Sequence, residues 1–161
     1  MKYYIVSDIH GSSKSIKKVL EYFDQDGDYL LVLGDILYHG PRNEVPENYE
    51  PKTVIQLLNE RKDKILAVRG NCDGEVDQMV LNFPITSDYL MLPFDEYKIF
   101  MTHGHLYKEF LLTKIAFFWV SSGRKCKRLP SPFTPIPKRT ACPSPFEFWY
   151  ALLKNILFLL F

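Results

Sequence analysis

Tyr3-Tyr4-Ile5-Val6-Ser7-Asp8-Ile9-His10 is the stretch on which the fold turns, because four apolar, β-favouring residues run straight into two side chains that ligate metal ions. An apolar run of this length reads as a buried strand, and the polar residues just past it read as the loop at its carboxyl end. The arrangement recurs. Tyr29 to Leu33 runs into Gly34-Asp35, Lys64 to Val68 into Arg69-Gly70-Asn71-Cys72-Asp73, and Lys98 to Thr102 into His103-Gly104-His105. Any one of these islands has an ordinary explanation as a capped turn. Their repetition after successive strands is what points to a metal site: carboxylates can bridge cations, while the neutral Asn71 amide and the imidazoles add ligands without adding negative charge.

Between the first runs lie helical patterns. Ser12 or Ser13 can cap a helix in which Ile16, Val19, Leu20 and Phe23 recur at three- and four-residue spacing. Val54, Ile55, Leu57 and Leu58 mark a second helix, and Val76, Met79 and Val80 share one face of a short third helix expected between Asp73 and Leu81, stopped by Pro84. His39 to Pro51 is polar and proline-bearing, a long loop. Tyr89 to Pro93 and Lys98 to Thr102 read as paired strands with Asp95-Glu96 at their turn. Strands alternating with helices imply an α/β fold with a largely parallel sheet and flanking helices, whose ligands bind beyond the carboxyl ends of the strands.

The 161 residues suit one domain, and near-neutral net charge gives no argument for nucleic acid or for a membrane. The average conceals a break. Up to Tyr107 there are seventeen acids and eleven bases; from Lys108 onward there are nine bases and two acids, Glu109 and Glu147. Lys108 to Val120 is apolar without a clear face, Ser121 to Arg128 is basic, and Pro130 to Pro145 carries six prolines, which excludes regular helix or central strand there. Phe146 to Phe161 is apolar but shorter than the roughly twenty residues of a spanning helix, and reads as a bound or aggregating tail. Residues 1–107 therefore form the expected domain and 108–161 an atypical tail, whose abrupt change of composition suggests an out-of-frame translation. Three cysteines without CxxC spacing indicate reduced thiols, and four apolar residues before Asp8 make no secretion signal, so a cytoplasmic protein is expected.

Ser7-Asp8-Ile9-His10-Gly11, Leu33-Gly34-Asp35, His39-Gly40-Pro41-Arg42-Asn43, Val68-Arg69-Gly70-Asn71-Cys72-Asp73 and Thr102-His103-Gly104-His105 resemble the motifs of the calcineurin-like metallophosphoesterases, in particular their small bacterial phosphodiesterase branch, the YfcE-like proteins. The resemblance implies that family's layered sheet with flanking helices over residues 1 to about 107, without its C-terminal strands. It implies two divalent ions, Mn²⁺ foremost, with Asp8 and His10 on the first, Asp35 as the bridge, and Asn71 and His103 on the second. The substrate implied is a small phosphodiester or phosphomonoester, attacked in line at phosphorus. His105 and His39 are expected to be loop hydrogen-bonders, the latter in a loop that could border substrate, and Arg69 either reaches a phosphate oxygen or makes a surface ion pair.

Two departures bear on activity. Cys72 stands where many members carry a histidine that assists the leaving group; it is the one catalytic candidate in the pattern, its competing role is that of a small packed residue, and activated leaving groups should be preferred. No histidine follows His105, so the family's downstream Gly-His-x-His element is missing and each ion would keep three protein ligands, counting Asp35 twice. The readings are then a phosphodiesterase impaired in this form, a non-catalytic metal- or phosphate-binding remnant, or a protein whose tail associates with membrane. Oligomeric state is left open.

Overall fold

The computed structural model describes residues 1–94 and 97–107, together with strands at 115–121, 124–125 and 156–160. The expected turn at Asp95-Glu96 and the proline cluster lie outside the described residues. Strands β1 (Tyr3–Ser7), β2 (Tyr29–Val32) and β3 (Ile65–Ala67) pair in parallel, with β1 central between β2 and β8 (Ile156–Leu160) in the order β3-β2-β1-β8. Helix α1 (Ser13–Asp26) connects β1 to β2, and α2 (Pro51–Asn59) followed by a 3-10 turn at Lys62–Lys64 leads into β3. Ser12 caps α1, its side chain accepting from the Ser15 amide.

The parallel sheet is buried on both faces, and side-chain alternation divides its residues between two cores. Tyr4, Val6, Leu30 and Val32 face the helices, where Ile16, Val19, Leu20, Phe23, Val54 and Leu58 meet them. Tyr3, Ile5, Leu31 and Leu33 face the other way, onto Ile99 and Met101. Those two residues belong to β5 (Tyr97–Thr102), which pairs antiparallel with β4 (Tyr89–Phe94) in a second sheet. Helices therefore cover one face, and the hairpin, rather than further helices, covers the other.

Two features go beyond the sequence reading. Helix α3 (Glu75–Val80) exists, yet the face shared by Val76, Met79 and Val80 is turned to solvent, with Val76 72% and Met79 82% exposed. Leu81, Phe83 and Ile85, just beyond it, enter the core instead. A six-residue helix is too short to commit its stripe to the core when the chain leaving it can fill the same space. Strand pairing also continues past Tyr107: β6 (Ile115–Ser121) lies antiparallel beside β5, β7 (Arg124–Lys125) beside β6, and β8 parallel beside β1. With β8 on one side of β1 and β6 on one side of β5, both strands are paired along both edges.

Candidate metal centre

Parallel strands bring their carboxyl ends to one edge, and the ligand-type residues follow those ends. Asp8, His10 and Asp35 all adopt positive φ, at 58°, 47° and 57°. Such backbone is rare for residues with a side chain and is retained where the surroundings over-determine it. Here the surroundings are main-chain bonds across the edge: the amides of Asp8, His10 and Gly11 donate to the carbonyls of Gly34, Asp35 and Ile36 at 3.1, 2.9 and 2.9 Å. The first two loops are thereby locked together.

The side chains of all five expected ligands converge. Nε2 of His10 lies 3.9 Å from Asp8 Oδ1 and 3.7 Å from Asp35 Oδ2. Nε2 of His103 lies 3.5 Å from that same Asp35 oxygen and 2.9 Å from Asn71 Oδ1. Asp35 thus presents one oxygen between two imidazoles, while its other oxygen, Oδ1, accepts the Cys72 amide at 2.8 Å. Asp8 accepts from the Ser7 hydroxyl.

Both histidines are set in the same way. Nδ1 of His10 meets the Tyr38 carbonyl at 2.8 Å and Nδ1 of His103 the Leu33 carbonyl at 2.7 Å. A carbonyl only accepts, so each Nδ1 donates its proton, and in the neutral imidazole each Nε2 then turns a lone pair inward, the tautomer of a metal-ligating histidine. Around the centre then stand two imidazole lone pairs, carboxylate oxygens and an amide oxygen, acceptors facing acceptors. A cation resolves that arrangement, and nitrogen with oxygen donors suits first-row divalent ions. Two ligand groupings share Asp35: Asp8, Asp35 and His103, and His10, Asp35 and Cys72.

Asp73 is the functional residue that sequence reasoning left without a role. Buried, it accepts three main-chain amides: those of Asp35 and Gly70 on Oδ2 at 2.8 and 2.7 Å, and that of Ile36 on Oδ1 at 2.8 Å. A carboxylate three residues past Gly70 was the only signal. Arg69 donates Nε to the Asp73 carbonyl at 3.4 Å. His39 and His105 each bury an Nδ1 with no hydrogen-bond partner among the described residues, which corrects their expected bonding. His39 instead contacts the Tyr38 and Tyr49 rings edge-on, and His105 lies 5.4 Å from the His103 ring. Burial, with His103 beside it, holds the His105 imidazole below its usual range. Burial and the Asp35 carboxylate push the Cys72 thiol up to about 11, so without cations it is uncharged at neutral pH.

A family model described as calcineurin-like phosphoesterase matches residues 1–134. The chain belongs to the calcineurin-like phosphoesterase family. Among curated relatives of this chain, phosphodiesterase YfcE of Escherichia coli strain K12 is 52% identical over 108 residues, 66% of this chain and 59% of that protein. The symmetrical bis(5'-nucleosyl)-tetraphosphatase of Buchnera aphidicola subsp. Acyrthosiphon pisum strain Tuc7 is 33% identical over 75 residues, 45% of this chain and 24% of that protein. A solved structure described as that of Yfce, a phosphoesterase from E. coli, superposes with a TM-score of 0.65 at 52% identity, covering 66% of this chain and 59% of that one. The chain spans about three fifths of the length of the YfcE proteins it matches. No helix among the described residues is long and apolar enough to cross a membrane.

Proposed function

We propose that this phosphoesterase is a metal-dependent phosphodiesterase acting on small phosphate esters in the cytoplasm, with Mn²⁺ as its ion. Asp8 and His10 would hold one cation, Asn71 and His103 the other, with Asp35 shared between them. The observation that carries the reading is the single Asp35 oxygen lying 3.7 Å from one inward imidazole nitrogen and 3.5 Å from the other. Bound there, two divalent ions would polarise a phosphoryl oxygen and stabilise the charge that develops in an in-line displacement.

The remaining work falls to the chain. Asp73 fixes the Asp35 main chain, and the Cys72 amide occupies Asp35 Oδ1, leaving Oδ2 to bridge. The Tyr38 and Leu33 carbonyls keep both imidazoles in the ligating tautomer. With a thiol rather than an imidazole beside the centre, little help is given to a poor leaving group, and activated esters are preferred. The test is hydrolysis of bis(p-nitrophenyl) phosphate with added Mn²⁺ by the chain and by Asp35→Asn; equal rates would exclude metal-assisted hydrolysis.

A second reading is supported by the histidine count: none follows His105, which leaves three protein ligands for each ion. Even supporting groups around a metal are worth about 10- to 100-fold in affinity or activity, so activity is impaired in this form, or the chain is a metal- or phosphate-binding remnant. Binding of Mn²⁺ with no turnover selects the remnant. The 108-residue span of the alignment to YfcE and the change of charge after Tyr107 support residues 108–161 being an out-of-frame translation. The idea is lost if neither alternative frame of the coding DNA yields Gly-His-x-His soon after codon 107.

A further inference from the structure

We infer that Cys72 is a ligand of the cation held by Asp8 and His10, its sulfur completing a nitrogen, oxygen and sulfur donor set that favours zinc-class divalent ions over Mn²⁺ at that position. This deepens the two-cation reading and rests on it. His10, Asp35 and Cys72 each offer one donor atom, and these atoms lie within 4.8 Å of one another. Opposite ligands on an ion with bonds of about 2.0–2.3 Å stand roughly 4 to 4.4 Å apart, so small adjustments of the side chains bring all three onto one ion. Asp8 lines the same cavity as these three residues. No histidine follows His105 in this sequence, so the cation at Asp8, His10 and Asp35 has three protein donors without Cys72 and four with it. Four is the number zinc-class ions usually take.

The sulfur is positioned by its neighbours. The Cys72 amide donates to Asp35 Oδ1 at 2.8 Å, which ties this residue to the carboxylate with which it shares the cation. Gly40, at φ 82°, passes so close that a Cβ there would stand 3.1 Å from Cys72 Sγ, so the loop beyond Asp35 packs on the sulfur from the side. Asn71 turns its oxygen toward His103 Nε2 at 2.9 Å, and its Nδ2 thereby faces Cys72 Sγ at 3.2 Å. The sulfur is therefore addressed as an acceptor. An N–H donated to it stabilises negative charge there, as supporting groups around metal ligands commonly do.

Ligation forms a bond from Sγ to the cation and passes the thiol proton to solvent. Burial and then the Asp35 carboxylate oppose loss of that proton in the metal-free centre, and a cation shared with the carboxylate offsets the second of these. A thiolate is a soft donor that selects zinc-class ions, whereas Mn²⁺ is the weakest binder of its series and suits oxygen donors. The other position, built from Asp35, Asn71 and His103, has no sulfur and keeps Mn²⁺. A sulfur bound to the cation also has no proton to give a leaving group, in accord with a preference for activated esters.

The experiment loads the full chain with Co²⁺, which reports sulfur ligation by a near-ultraviolet charge-transfer absorption, and compares it with Cys72→Ser and with Cys126→Ser/Cys142→Ser. Bound Co²⁺ is counted by equilibrium dialysis. The expected result is an absorption that grows with bound cobalt, persists in Cys126→Ser/Cys142→Ser and vanishes in Cys72→Ser while that variant still binds cobalt. In competition dialysis the preference for Zn²⁺ over Mn²⁺ should fall about tenfold or more in Cys72→Ser. A readout that needs no variant is alkylation of the Cys72 peptide by iodoacetamide, from which Zn²⁺ should shield the unmodified chain more than Mn²⁺ does. Bound cobalt without the absorption, an absorption that survives Cys72→Ser, or equal alkylation with either ion overturns the assignment of Cys72 and leaves the two-cation reading standing. Failure of the unmodified chain to bind Co²⁺ at all removes both.

Discussion

Asp73 Oδ2 accepts the main-chain amide of Asp35 at 2.8 Å, so the residue that presents its oxygen to both imidazoles is itself held by a buried carboxylate. The same carboxylate ties in Gly70 and Ile36, joining the loop after β2 to the loop after β3. Position at the metal centre is thus set through the backbone, one layer behind the ligands.

Asp73→Ala strands three buried amides and should lower stability by about 3 kcal/mol, since each unsatisfied buried donor costs roughly 1–3 kcal/mol and the losses overlap. Asp73→Asn keeps one acceptor and should cost about half as much. Urea denaturation measures both, and an unchanged midpoint for the alanine variant would remove the structural role assigned here.

Gly70 stands where a Cβ would overlap Asp35, both its amide and its carboxylate. Gly70→Ala should therefore displace the Asp35 carboxylate and, on the proposed metal reading, weaken Mn²⁺ binding by about tenfold or more. Electron paramagnetic resonance of free Mn²⁺ reads this directly. Wild-type affinity in the variant would show that Asp35 is not held by this contact.

The Cys72 thiol, pushed up to about 11 by burial and then by Asp35, should be alkylated by iodoacetamide about 100-fold more slowly than an unperturbed thiol at neutral pH, in metal-free protein. Mass spectrometry of the Cys72 peptide separates it from Cys126 and Cys142. A rate matching that of a free thiol would contradict the buried, acid-facing environment.

Arg61 holds the Asp24 carboxyl below its usual range, chiefly through hydrogen bonds from Nε and NH2 at 2.8 and 2.6 Å. A depressed carboxylate pKa adds stability that is present above about pH 4, where unfolded aspartate is already ionised, and that disappears as the pH falls through the lower folded value. Asp24 is 46% exposed, so after solvent screening the contribution is about 0.5 kcal/mol at most. The Tm deficit of Arg61→Gln relative to wild type should shrink between pH 6 and pH 2. A constant deficit would place the effect in the bond from Arg61 to the Leu57 carbonyl instead.

Much of the architecture was readable because it is written in neighbouring residues. Apolar runs from Tyr3 and Tyr29 became the central strands, and Ile16, Val19, Leu20 and Phe23 became the buried face of α1, since strand and helix periods depend only on local spacing. The same rule found α3 from Val76, Met79 and Val80 but could not say that this stripe is left to solvent. It found the β4 and β5 pair but not that this pair belongs to a second sheet packed on the free face of the first.

The sequence by itself determined which ligand types stand at the strand ends and in what order, because a strand's length and its terminating loop are local properties. Tertiary structure alone decided that Asp35 offers one oxygen to both histidines, that Asp73 anchors it from behind, and that Cys72 gathers with His10 and Asp35. Those relationships join residues up to seventy positions apart, as His103 meets the Leu33 carbonyl. They come into being only when parallel pairing brings the ends of β1, β2 and β3 to one edge and the second sheet packs β5 beside them.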